Sequence, residues 1–190
     1  MDSNKKTAII VGILFIIATG ATSIGVVILT PIIDGPEYLN NVSANEIQVL
    51  TGVLFQLINC AAVVAIPFML FPVLKKHNEA LALGYLGSRI IESVICIISN
   101  ISLLSLLTLC KEYIKAGAQG VSFFQPSITL SLAVNHWTDL LGILIVFSFS
   151  ALILNYVLYR SKLVPRFISA WGFIGAVLLI SKGLLDMFNE

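Results

Sequence analysis

Arg89 and Glu92 carry opposite charges three residues apart, inside an apolar run that extends from Ala80 to Cys110. At about 100° per residue that spacing places both on one helix face, where guanidinium and carboxylate can pair. An ionised group in hydrocarbon costs at least about 2.5 kcal/mol, so such residues mark a ligand site, an ion path or a proton relay unless they only join helices. Tyr85, Ser93, Cys96 and Asn100 share their arc, giving this helix one polar stripe.

The preceding apolar run, Ile47 to Leu74, carries a matching stripe of Gly52, Gln56, Asn59, Cys60, Val63 and Pro67. Pro67 and Pro72 lack amide hydrogens, so the carbonyls of Val63 and Phe68 lose their helical partners and want another donor. Arg89 could supply it, because a tight turn joins the two helices. The spacing predicts a buried binding cluster of Arg89, Glu92, Gln56, Asn59 and Asn100. The competing reading is interhelical glue, worth about 0.6 to 2 kcal/mol per contact with no further role.

Elsewhere the chemistry is thin. His136 and Asp139 stand at i and i+3, but two ligands do not make a metal site and the second histidine, His77, falls in a different loop. A hydrated interfacial pair is the expectation there, and Lys182 with Asp186 reads as an outer-leaflet charge pair. Metalloprotease, nucleophile-elbow and phosphate-loop motifs are missing, and no metal or cofactor is expected. The three cysteines, Cys60, Cys96 and Cys110, lie in apolar runs and predict no disulfide framework.

The elements that must position these residues follow from composition. Of 190 residues, 58% are hydrophobic and 11% charged, with a mean hydropathy of +0.99. A soluble domain carries about 25% charged residues, and one of this size has too little interior for so much apolar surface. Disordered and nucleic-acid-binding classes fall with it, since a net charge of +1 offers no basic patch. The bilayer is the solvent, and about 20 apolar residues cross its core as a helix.

Five runs meet that length, near residues 8–29, 47–74, 80–110, 140–159 and 167–188. The first exceeds the roughly 7 to 15 residues of a signal peptide's apolar region and is expected to be retained. Seven basic residues, Lys5, Lys6, Lys75, Lys76, Arg160, Lys162 and Arg166, fall on one side of this topology, against Lys111, Lys115 and Lys182 on the other. The positive-inside rule then places the N-terminus inside. Pro31 and the Asp34-Gly35-Pro36 cluster should stop the first helix, and Ser43 with Glu46 reads as a capping box opening the second. Gly117, Gly120 and Pro126 break the stretch after Lys111, so Ile128 to Val134 is expected as an outer interfacial helix, with a re-entrant half-helix as the competitor. Ala21 with Gly25 and Gly172 with Ala176 allow close helix approach. The fold class is all-α: a polytopic membrane helix bundle, one integral membrane domain over residues 1–190.

Several segments carry a likeness to a known family. These are Ser3-Asn4-Lys5-Lys6-Thr7-Ala8, Val73-Leu74-Lys75-Lys76-His77-Asn78-Glu79, Leu83-Gly84-Tyr85-Leu86-Gly87-Ser88-Arg89-Ile90-Ile91-Glu92, Ser161-Lys162-Leu163-Val164-Pro165-Arg166 and Trp171-Gly172. The chain resembles a bacterial multi-pass membrane family catalogued as domain of unknown function 4386. That resemblance implies a bacterial inner membrane and an uncharacterised role, and it carries over no functional residue. The expected function is a ligand- or partner-binding membrane module, its partners being the bilayer, a lipid or small-molecule ligand, and a second copy of the chain. A small transporter or channel subunit is the alternative, and an intramembrane enzyme comes third.

Overall fold

The computed structural model describes residues 3–35, 37–117 and 121–189. Pro36 and Gly120, two of the expected breakers, lie outside the described residues. Every regular element among those described is helical: α1 (Ser3–Ile33), α2 (Tyr38–Ala44), α3 (Glu46–Leu74), α4 (Glu79–Ala116), α5 (Val121–Asp139), α6 (Phe147–Ser161) and α7 (Arg166–Asn189), with a π-helical stretch, Leu140–Val146, joining α5 to α6. Five helical runs are long and apolar enough to cross a membrane: Lys5–Ile33, Glu46–Leu74, Glu79–Ala116, Phe123–Ser161 and Arg166–Asn189.

Neighbours in sequence are neighbours in space. α1 lies along α3, α3 along α4, α4 along the α5–α6 run, and α7 along α6 and the π-helical turn. The short inner connections enforce this order. Asn78 caps α4 by accepting a hydrogen bond from the Leu81 amide at 2.9 Å, and Lys162 ends α6 in the left-handed conformation, φ 57°, with its amide bonded to the Leu158 carbonyl. Small residues set the closest approaches. Gly25 lies under the Gln56 side chain, Gly52 under Leu29, and Gly172 under Asn155.

Three apolar clusters hold the row together. Val11 and Ala18 of α1 meet Ala62 and Ile66 of α3. At the end of the bundle that carries the α3–α4 turn, Leu74, Ala82, Tyr85 and Val157 join α3, α4 and α6. At the opposite end Leu29, Ile32, Val42, Val49, Val53, Leu106, Cys110 and Ile128 draw five elements into one core. The remaining large apolar side chains, such as Phe167 and Leu178, are exposed, as a bilayer solvent permits.

Two features differ from expectation. Ser43 sits in the last turn of α2, and α3 opens at Asn45 without a side-chain cap, so no capping box forms; Asn45 Nδ2 instead donates to the Asn41 carbonyl at 2.8 Å. Glu46 spends its carboxylate on Lys111, 2.8 Å away on α4. The stretch expected as a separate outer interfacial helix is continuous with the fourth span, in one run from Phe123 to Ser161. The reason is packing: α4 has 38 residues, about 57 Å at 1.5 Å per residue, and its outer half offers Leu103, Leu106 and Leu107 as a surface that fully buries Ile128.

Candidate functional site: the polar stripe of α4

α4 turns a row of polar side chains toward its neighbours. Ser88, Arg89, Ser93, Ser99, Asn100 and Ser102 are all buried. At its inner end Arg89 Nη1 donates to both carboxylate oxygens of Glu92, at 3.1 and 2.8 Å. The arginine side chain is 5% exposed and the glutamate 13%, so the pair is shielded and the carboxylate is its more open side. The guanidinium carbon stands 5.4 Å from the ring centroid of Phe147, the first residue of α6, a cation–π contact. Arg89 Nε is buried and has no hydrogen-bond partner in the protein.

Ser148 adds a second unmatched group at this level. Gly84 lies against Ile153 and Gly142 against Ile95, so Ser148 falls at the depth of Arg89, on the α6 face whose Asn155, seven residues on, packs against Gly172 of α7. Ser148 is fully buried and its Oγ also lacks a protein partner. Other hydroxyls in these helices bond back to a carbonyl three or four residues earlier, as Ser105, Thr108 and Ser150 do. The widened turn immediately before Ser148, where the Phe147 amide reaches the Gly142 carbonyl five residues back, alters the carbonyl positions on which that local bond depends.

One turn beyond Glu92 the stripe meets α3. Ser93 Oγ donates to the Cys60 carbonyl at 3.2 Å, and the sulfurs of Cys60 and Cys96 lie 2.7 Å apart. Asn100 Nδ2 donates to the Cys96 carbonyl at 2.9 Å. Further out the stripe meets α5, where Ser99 Oγ donates to Asp139 Oδ1 at 3.1 Å and accepts from Asn135 Nδ2 at 2.7 Å. Ser102 Oγ donates to the Ser131 carbonyl at 2.5 Å.

Of the five residues singled out by spacing, the structure joins Arg89 directly to Glu92. Asn100 is on the same helix, bonded within its own turn. Gln56 turns to α1, where it covers Gly25, and Asn59 is half-buried. Among the described residues no hydrogen bond ties Gln56 or Asn59 to the other three. Nor does Arg89 donate to the carbonyls that Pro67 and Pro72 free on α3, because its guanidinium points to Phe147 on α6. Phe147, Ser148, Ser99 and Asn135 were not singled out from sequence, and Asp139 was paired there with His136 and not with Ser99. The i, i+4 spacing of Asn135 and Asp139 could have found that pair, whereas the contact of Phe147 with Arg89 depends on a register between distant segments.

Five membrane-length helices with buried polar and ionised groups turned inward define a polytopic α-helical membrane protein. The family model Domain of unknown function (DUF4386) matches residues 10–190. The chain belongs to that family. No curated protein and no solved structure matches it.

Proposed function

We propose that this chain is a membrane-embedded binding module in which the Arg89–Glu92 pair receives the polar head of a lipid or small amphiphile. The observation that carries the reading is Arg89 Nε, a charged donor that is buried and without a protein partner although the guanidinium is paired with Glu92. A buried donor left unmatched costs about 1 to 3 kcal/mol, more when charged, so a native site tends to supply an acceptor. A ligand oxygen accepting from Arg89 Nε meets that demand. Glu92, the more open member of the pair, faces the side from which such a head group arrives.

In this reading residues 1–190 form one domain in a bacterial cytoplasmic membrane, with the N-terminus inside. The aromatic pair Phe167 and Trp171, stacked at 6.4 Å and exposed at the start of α7, fits the inner interface. Arg166 over Tyr159 and Lys75 over Phe71 fit the same level.

The test is mass spectrometry of the intact protein released from mild detergent. Wild type should carry a lipid-sized noncovalent adduct, and Arg89→Leu/Glu92→Leu should lose it while keeping its helical circular dichroism. An adduct retained by the folded double variant, or no adduct on wild type, rejects the binding reading and leaves helix association as the role of the pair.

A further inference from the structure

The sulfurs of Cys60 and Cys96 are 2.7 Å apart, although both residues are free thiols. Direct contact of the two sulfurs is what a disulfide between the helices would need. The two residues belong to neighbouring helices, α3 and α4, with polar groups placed around them. Ser93 Oγ bonds the Cys60 carbonyl at 3.2 Å, fixing the facing turns, and Asn100 Nδ2 lies 3.7 Å from Cys96 Sγ, a weak donor contact. Cys110, the third thiol, lies about 21 Å further along α4 and is buried in the outer apolar core.

Position selects the reagent. Cys60 is the midpoint of α3, fourteen residues from Glu46 and fourteen from Leu74, so the pair is about 21 Å along the helix from either end. Water-soluble disulfides do not reach that depth. A reagent that does must dissolve in lipid, and a carrier that takes up two electrons together with two protons leaves no charge behind in the hydrocarbon. Cys60 is buried and Cys96 half-buried, which leaves the α4 sulfur as the point of approach.

We propose that Cys60 and Cys96 form a redox-active dithiol inside the membrane, oxidised to a disulfide by a lipid-soluble quinone. Both S–H bonds break and one S–S bond forms; the two thiols lose two electrons and two protons, and the quinone takes up all four and leaves as the quinol. The product ties α3 to α4 one turn from Glu92. The inference is independent of any ligand at Arg89.

The full chain in liposomes provides the test. Protein reduced and then freed of reductant is incubated with a short-chain benzoquinone, denatured, and tagged with a maleimide that adds a fixed mass per thiol. Wild type should fall from three tags to one, within a monomer, with one equivalent of quinol formed. Cys60→Ser and Cys96→Ser should each keep two tags under the same treatment. Cys110→Ser should fall from two tags to none. Three tags retained by wild type after both the quinone and the membrane-permeant oxidant diamide overturn the pairing. Loss of tags to diamide alone overturns the quinone assignment, and a cross-link through Cys110 or between chains overturns the site.

Discussion

Removing one member of the Arg89–Glu92 pair should cost far more than removing both. Glu92→Leu leaves a guanidinium on a residue that is 4% exposed, where the Phe147 ring faces its charge. Arginine keeps its proton in proteins, so the charge has no chemical escape. Breaking a buried pair in this way costs about 3 to 5 kcal/mol, and the cation–π contact returns about 0.5 to 2 kcal/mol at most. Arg89→Leu leaves a carboxylate that is the more open partner, 13% exposed, and that can shed its charge by binding a proton. Its loss should therefore be the smaller of the two. Arg89→Leu/Glu92→Leu removes both desolvation costs and fills the space with methylenes, and replacing a buried pair by apolar residues is neutral or stabilising by about 1 to 4 kcal/mol. The order of stability should be double variant at or above wild type, then Arg89→Leu, then Glu92→Leu. Unfolding by SDS titration in mild-detergent micelles, followed by circular dichroism, measures it. A double variant as unstable as Glu92→Leu refutes the reasoning, because the pair would then contribute through packing that leucines cannot replace.

Gly52→Ala should lower the melting temperature, because the new methyl falls 2.5 Å from Leu29 Cγ and overpacking of this kind costs about 1 to 3 kcal/mol; Gly20→Ala, with nothing within 4 Å, should raise it by the better helix propensity of alanine. Ser99→Ala removes the partner shared by Asp139 and Asn135 and should cost about 0.6 kcal/mol, at most about 1.7, by the same SDS titration, while Thr108→Ala, which loses only a bond to its own helix, should leave stability unchanged. In intact cells an impermeant thiol reagent should label Tyr38→Cys from outside, and Lys76→Cys and Leu163→Cys only after permeabilisation; the opposite pattern would place the N-terminus outside.

The membrane helices were legible because the bilayer allows so few solutions: a backbone in hydrocarbon must satisfy its own hydrogen bonds, so an apolar run of sufficient length is a helix. The same reasoning reached the Arg89–Glu92 contact, which is local to one helix and set by a three-residue spacing. It failed where the partner comes from elsewhere. Ser43 and Glu46 have the types of a capping box, yet α2 continues through Ser43 and the Glu46 carboxylate is taken by Lys111, sixty-five residues away. Hydropathy also leaves Lys111 to Trp137 outside the spans, with a separate interfacial helix expected at Ile128 to Val134, whereas α4 outruns the membrane thickness and supplies a protein surface on which Val121–Asp139 folds as one helix.

The π-helical turn was out of reach for a similar reason, and it decides how α4's two polar stations are served. Asp139 and Phe147 flank it, and both face α4, the first through Ser99 and the second over Arg89. Eight residues of regular α-helix turn through about 800°, which would leave the two side chains about 80° apart. One extra residue absorbed by the widened turn makes eight residues span two turns as seven do, and the separation falls to about 20°. The same distortion precedes Ser148, whose buried hydroxyl lacks a protein partner. A regular helix through Leu140–Val146 would spread Asp139 and Phe147 across most of one helix face instead of nearly aligning them. The local loss of α-helical bonding is thus tied to the near-alignment of the two side chains that meet Ser99 and Arg89 on α4.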